Sequence, residues 1–316
     1  MQEGNSNKLS TNDLYNEIDL KEILRILFQG KMIIVALTAF ISIIGIIYSL
    51  LLPNIYESKT LLVPVNPTSS ISKALGSYND LAGFAGINLP SRDYESNSAK
   101  AVKKIGSLSF FEKNILPNIY LPNLMAVESW SPKLNIVNYD EKIFDINTNA
   151  WVRDYSYPKK QIPSAQESYK VFSKNYLTLI EDKKSGFITL SIKHQSPFIA
   201  KQWAELAVNE VNNFYRQKDK EESERATSYL NQQILMTGLS EIKQVLAQLL
   251  QEETKKLSLI EANQSYVFEY VDPPAVMEKK SAPNRALIFI ISALLGGMLG
   301  SILVLIRHYV RDEKTP

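Results

Sequence analysis

Apolar residues gather into two long runs near the ends of the chain, with weaker periodic stretches between them. Met32 to Leu52, "MIIVALTAFISIIGIIYSLLL", is 21 residues without a charge, and Ala286 to Ile306 is a second run of 21. As a helix each would extend about 31 Å, the thickness of a bilayer's hydrocarbon core. In the second run 13 residues are Leu, Ile, Val or Phe, which favours insertion by at most about 4 to 8 kcal/mol. A cleaved signal peptide would carry a shorter apolar stretch followed by a small-x-small site. "LLLPNIYE" supplies no such site, so the first run also reads as a permanent span.

Two spans place both termini on one side. The pattern predicts an N-terminal tail 1–31, a span 32–52, a central domain 53–285, a span 286–306 and a tail 307–316. On the tail side lie Lys21, Arg25, Lys31, Arg307, Arg311 and Lys314; the loop ends carry Lys59, Lys279, Lys280 and Arg285. This modest positive-inside bias predicts cytoplasmic tails and an exported central domain.

Between the spans the period changes several times. Residues 1–12 are polar and predict disorder; Leu20, Ile23, Leu24 and Leu27 then mark an amphipathic helix leading to the membrane. "IYESKTLLVPV" predicts a strand. Residues 66–98, rich in Ser, Asn, Gly and Pro, predict loops, with room for short helices in "ISKALGSYNDLAGFAG". "SAKAVKKIGSLSFFEKNIL" predicts a helix weakened at Gly106, and the proline-studded stretch 117–164 predicts irregular structure. "QESYKVFSKNYLTLIED" reads as a helix and "SGFITLSIKH" as a half-buried strand. Ser196 and Pro197 make a helix start, followed by an apolar stripe of Ile199, Trp203, Leu206, Ala207, Val211 and Phe214.

A helix unbroken over 196–262 would be about 100 Å long. "RQKDKEESER" within it has no apolar side and should stand in water or a polar interface. Gly238 is the expected break, since glycine costs about 1 kcal/mol inside a helix. "SYVFEYVDPP" predicts a last strand. The strands near 56–65 and 265–272 are each a few residues from a span and should join one sheet, with 186–193. The predicted fold is an α+β domain, a membrane-proximal sheet-containing base plus a long extended helix, flanked by two transmembrane helices.

Composition narrows the chemistry. A formal charge of +2 gives no case for nucleic acid, and the absence of cysteine removes disulfides, thiolate metal sites and a cysteine nucleophile. Phosphate-loop, GxGxxG, HExxH, GxSxG and Asp-x-Asp patterns are missing, so no catalytic, metal or cofactor residues are expected. His194 closes a strand before a helix and reads as a polar cap or surface residue. His308 reads as a headgroup-level residue.

Two features stand above this background, and a third is a weaker candidate. Ser292, Gly296 and Gly300 share one face of the second span, with Ala293, Gly297 and Ser301 beside them; this is a close-packing surface for another membrane helix. Thr38, Ser42, Gly45 and Ser49 of the first span offer a matching face, and another subunit is the other candidate partner. Pro273, Pro274 and Pro283 predict an extended, semi-rigid connector to the membrane. Trp151, Tyr155, Tyr157, Lys159 and Lys160 could stack on and hydrogen-bond a sugar chain, although an irregular packed loop is the simpler reading.

The chain resembles the Wzz-type polysaccharide co-polymerases, the chain-length determinants of O-antigen and related bacterial surface glycans. The likeness lies in "EIDLKEILRILFQGK" and "PNIYESKTLLVPV" around the first span, "GFITLSIKHQSPFIAKQWAELAVNEV", and "PPAVMEKKSAPNRALIFIISALLGGMLG". Val276, Met277 and Glu278 stand where related sequences often carry a further proline. The resemblance implies an inner-membrane protein with a periplasmic α/β base, assembled as a homo-oligomeric ring and lacking catalysis of its own. It also implies membrane lipids, an integral-membrane polysaccharide polymerase and lipid-linked glycan as partners.

A capsule or exopolysaccharide co-polymerase with a separate tyrosine kinase stays open, since residues 307–316 cannot hold a phosphate loop. From other classes, a two-span sensor would be expected to carry an output domain after the second span, and a periplasmic glycan-processing enzyme would need an active site.

Overall fold

The computed structural model describes residues 20–65, 97–263 and 265–312. The polar segment 1–12 and the stretch containing "ISKALGSYNDLAGFAG" lie outside these residues. The chain divides into a helical unit that carries both apolar runs and a mixed unit spanning Asn54–Ala282.

In the helical unit, α1 (Leu20–Gln29) leads through Gly30 into α2 (Lys31–Leu51). The α2 helix packs along the last helix of the chain, called α9 below, which spans Arg285–Asp312. Among the described side chains of α1, Ile26 is deeply buried whereas Leu24 is exposed. The packed side, not the most apolar side, therefore decides which α1 residue is covered.

The mixed unit is built on a four-stranded antiparallel sheet. Its strands are β1 (Tyr56–Pro64), β6 (Leu177–Glu181), β7 (Ile188–His194) and β8 (Phe268–Asp272), in the order β6-β7-β1-β8. The register pairs Tyr56 with His194 and Leu62 with Ile188. Isoleucine, leucine, threonine and valine dominate these strands, as suits a pleated surface with one covered face.

Before β6 come α3 (Asn97–Ile105), α4 (Leu108–Phe110) and α5 (Leu121–Met125), then two small hairpins. These are β2 (Val127–Ser131) with β3 (Ile136–Tyr139), and β4 (Phe144–Asp145) with β5 (Ala150–Trp151). The stretch expected to be irregular therefore holds short paired strands. Asn135 and Asn149, both at φ 52°, make their turns; asparagine tolerates the left-handed region better than most residues.

One expected helix is half strand. After α6 (Ala165–Val171) the backbone widens into a π-helical turn, Phe172–Tyr176, and continues as β6. The Phe172 ring stacks obliquely on Phe111 at 5.1 Å and approaches Trp203 at 6.0 Å. That anchoring ends the helix where Leu177 can pair with Ile192 of β7, so tertiary packing overrides local helical propensity.

The core helix is α7 (Pro197–Met236), about 60 Å long. Its covered face is Ala200, Trp203, Ala204, Ala207, Val208 and Val211. The expected stripe is rotated: Ile199, Leu206 and Phe214 are only partly covered and flank this face. Alanines at 200, 204 and 207 let the helix lie close to the sheet, and the larger side chains close the margins. The chain breaks at 237–239, around Gly238, and returns as α8 (Ser240–Ala262), giving two helices in place of one continuous 196–262 helix. The polar segment of α7 meets α8: Ser223 is fully buried, and Lys220 pairs with Glu261 at 2.8 Å.

Two buried polar side chains tie these layers together. Asn212 accepts from the Val267 and Phe268 backbone N–H groups, both at 2.9 Å, and donates to the Phe268 carbonyl at 2.9 Å. His194 is buried and joins α5 to the start of α7. Its Nδ1 accepts from Ser196 N–H at 2.8 Å, and its Nε2 lies 3.0 Å from the Asn123 carbonyl, to which it donates as the neutral tautomer. It is a cap, as expected, but an interior one.

Burial pushes the His194 imidazole down from 6.5 to about 4. Its neutral form is thus favoured by folding, and the associated stability is complete above pH 6.5 and lost as pH falls towards 4. Urea titrations across that window should show the wild-type midpoint falling with acidity. His194→Gln should lose much of this slope and start from a lower midpoint.

Candidate functional site

The helical unit is organised around small residues. Ser42, Gly45 and Ser49 of α2 are buried, as are Gly296, Gly300 and Val304 of α9. A Cβ added at Gly296 would lie 2.7 Å from Thr38 Cα, and one at Gly300 would lie 2.9 Å from Ile34 Cα. A Cβ at Gly45 would overlap the Ser292 hydroxyl, and Gly30 faces Val304. Gly297 sits beside this line, with Thr38 Oγ1 3.8 Å from its Cβ position.

Ser292 and Thr38 donate their hydroxyls to their own helices, at Ile288 and Ile34. No polar group at this seam then lacks a partner in lipid on their account. The opposite faces expose Phe40, Ile43, Ile47, Leu294, Leu295 and Met298. Small residues inside and large apolar residues outside invert the pattern of a soluble helix pair and suit a lipid surround. Both helices are long and apolar enough to cross a bilayer.

The proline segment lies against the mixed unit. Thr60 donates to the Asp272 carbonyl at 2.7 Å, Ser58 to Ala275 at 2.9 Å, and Ile55 bridges to Ala282. Pro274 is buried, whereas Pro273 is exposed and Pro283 half-buried. Ser281 donates to Glu57 at 2.9 Å. Burial alone would raise the Glu57 carboxyl, but hydrogen bonds from Ser281 and Ser191, with Lys59 and Lys193 nearby, hold it below its ordinary value. The segment is therefore docked along β1 up to Ala282, and the mixed unit's two chain exits leave it side by side.

The aromatic and lysine residues of 151–160 separate into two groups. Trp151 stacks edge-on against Phe144 at 5.2 Å, within a cluster that includes Tyr120 and Tyr139. Tyr155, Tyr157, Lys159 and Lys160 stand exposed on the loop beyond it, and Tyr157 is 97% exposed.

The residue that organises this loop is Arg153, which pattern reading missed. Its guanidinium pairs with Glu167, with one contact at 2.8 Å, and donates to the Lys160 and Gln161 carbonyls at 2.6 and 2.9 Å. A lone arginine between aromatics and prolines was the available signal. The loop thus presents two phenol rings and two ammonium groups on a closed frame, which suits stacking on a sugar face and donation to its hydroxyls.

The Arg153 guanidinium holds the Glu167 carboxyl below its ordinary 4.5. This stabilisation is present above pH 4.5 and fades as the pH falls through the lowered value. Arg153→Ala should cost about 1–2 kcal/mol near neutrality. Limited proteolysis should show faster cleavage within 152–161, with the difference from wild type shrinking in acid.

Two family models match parts of the chain. Residues 16–105 match the family model "Wzz: Chain length determinant protein". Residues 231–309 match the GNVR model, described as "G-rich domain on putative tyrosine kinase". No curated protein sequence gives a significant match. Among solved structures, one similar chain is a full-length bacterial polysaccharide co-polymerase, 16% identical with a TM-score of 0.40, covering 94% of this chain and 100% of that one. Another is a fragment of WzzB, a polysaccharide co-polymerase from Salmonella Typhimurium, 13% identical with a TM-score of 0.29, covering 72% of this chain and 100% of that one.

Proposed function

We propose, for a chain whose Wzz and GNVR domains make it a Wzz-type polysaccharide co-polymerase, that it regulates the chain length of a surface polysaccharide without catalysing bond formation itself. The carrying observation is the placement of the two domains: each takes in one apolar span, and the mixed α+β unit lies between the spans. In this reading both tails are cytoplasmic, the Asn54–Ala282 unit is periplasmic, and the spans sit in the inner membrane.

The subunits form a homo-oligomeric ring that works with the integral-membrane polymerase joining lipid-linked repeat units. The exposed apolar residues Leu235, Met236, Leu239, Ile242 and Val245 near the α7–α8 turn support self-association, since such surface is costly in water. The assembly offers the growing glycan or the polymerase a scaffold and alters how long they stay engaged, with Tyr155, Tyr157, Lys159 and Lys160 as glycan contacts.

O-antigen is the first candidate polymer. The GNVR match favours a second reading, a capsule or exopolysaccharide co-polymerase whose tyrosine kinase is a separate chain. Gene deletion followed by gel analysis of each surface polysaccharide tests both. Loss of the modal band in the O-antigen ladder supports the first, and a changed capsule or exopolysaccharide size distribution supports the second. No change in any polymer would refute the proposal.

A further inference from the structure

One edge of the Asn54–Ala282 unit carries apolar surface that its own core does not use. In the β2–β3 hairpin, Leu134 is 71% exposed and Ile136 is 50% exposed. The half-buried Trp130 stands beside them, its indole fixed by donation to Asn135 Oδ1 at 3.0 Å. Its ring meets Tyr56 edge-on at 5.4 Å and lies 6.5 Å from Phe198, itself 47% exposed. Lys133 is exposed at the turn, and Lys279 and Lys280 are exposed near the chain exit.

The position of this patch matters as much as its composition. Tyr56 follows directly on Ile55, which bridges to Ala282, so the patch lies at the edge where both chain segments leave the unit. Leu51 ends α2 and Tyr56 begins β1, a tether of at most about 17 Å; from Ala282 to Arg285 the limit is about 10 Å. If the two apolar helices span a bilayer, the headgroup layer is within reach of this edge on two short leashes. Tryptophan and tyrosine with an apolar body and a polar tip, flanked by lysines, are the residues that partition into that layer.

We infer that the β2–β3 hairpin, through Trp130, Leu134 and Ile136, is a lipid-contacting foot of the mixed unit, seated in the interfacial layer of the bilayer. The inference rests on the two-span reading. It adds a third point of membrane contact, which limits rotation of the unit about its two connections.

The chain has no cysteine, so single probes can be placed cleanly. Full-length Leu134→Cys protein, carrying a fluorophore and held in nanodiscs of mixed zwitterionic and anionic lipid, is compared with and without nitroxide-labelled acyl chains. Leu235→Cys, at the far end of α7 from the chain-exit edge, serves as the control remote from lipid, and Leu295→Cys on the outer face of α9 as the lipid control. Quenching of the Leu134 probe should be several-fold stronger than at Leu235 and approach that at Leu295. Quenching no greater than at Leu235 overturns the inference, whether the probe is wet or is blue-shifted against a second protein copy. If Leu295 also escapes quenching, the spanning reading fails and takes the inference with it.

Discussion

Asn212→Leu should lower the stability of the mixed unit by about 3–9 kcal/mol. The side chain satisfies three backbone groups at the start of β8, the N–H groups of Val267 and Phe268 and the Phe268 carbonyl. Leucine would fill similar space but leave all three buried without a partner, at about 1–3 kcal/mol for each unsatisfied group. A loss of this size is a large share of the about 5–15 kcal/mol that holds most domains folded. Asn212→Asp keeps the acceptor for both N–H groups but loses the donor to Phe268, so it should fall between wild type and leucine. Urea unfolding of the full-length protein, followed by tryptophan fluorescence, measures this order. A leucine variant with an unchanged midpoint would show that Asn212 does not bear on the fold as argued.

The second large effect is expected in the helix pair. At Gly296 and Gly300 the obstacle to a side chain is the backbone of α2, which cannot rotate away as a side chain could. One added methyl should already cost about 1–3 kcal/mol in overpacking. Lipid supplies no hydrophobic drive to restore the contact. Gly296→Leu should therefore separate α2 from α9 near Thr38. Spin labels on the outward positions Phe40 and Leu295, in protomers diluted with excess unlabelled protein, should give one narrow distance in the wild-type background, and a longer, broader distribution with Gly296→Leu. An identical narrow distance in both would contradict the close-packed seam.

Much of this architecture is legible in the residue pattern. The strands at 56–65, 186–193 and 265–272 stand in one sheet, and Ser196–Pro197 starts the long helix. The break around Gly238 follows from the cost of glycine in a helix interior. What pattern reading missed depends on tertiary contact. β6 begins within a stretch of good helical propensity because Phe172 is held by Phe111 and Trp203. The covered face of α7 follows its alanines because close approach to the sheet outweighs the size of the apolar side chains.

The site divides along the same line. Glycine and serine spacing alone named Gly45, Ser49, Ser292, Gly296, Gly297 and Gly300, because a helix has one period and few ways to present a small face. The 151–160 loop gave its chemistry but not its frame. A lone arginine among aromatics and prolines hints at Arg153, but its partner Glu167 lies 14 residues away and its closure of the loop on Lys160 and Gln161 is set by tertiary structure. The structure also assigns Trp151 to packing against Phe144, leaving the two tyrosines and two lysines as the accessible groups.

The proposal that this chain sets length without forming bonds is tested most directly by reconstitution. Full-length protein is placed in proteoliposomes with lipid-linked repeat units, with and without the polymerase, and glycan sizes are read on a gel. The account predicts no elongation by this chain alone, and a narrower, shifted length distribution when it is added to the polymerase. Elongated product from this chain alone, or a polymerase product unaffected by its presence, would contradict the account.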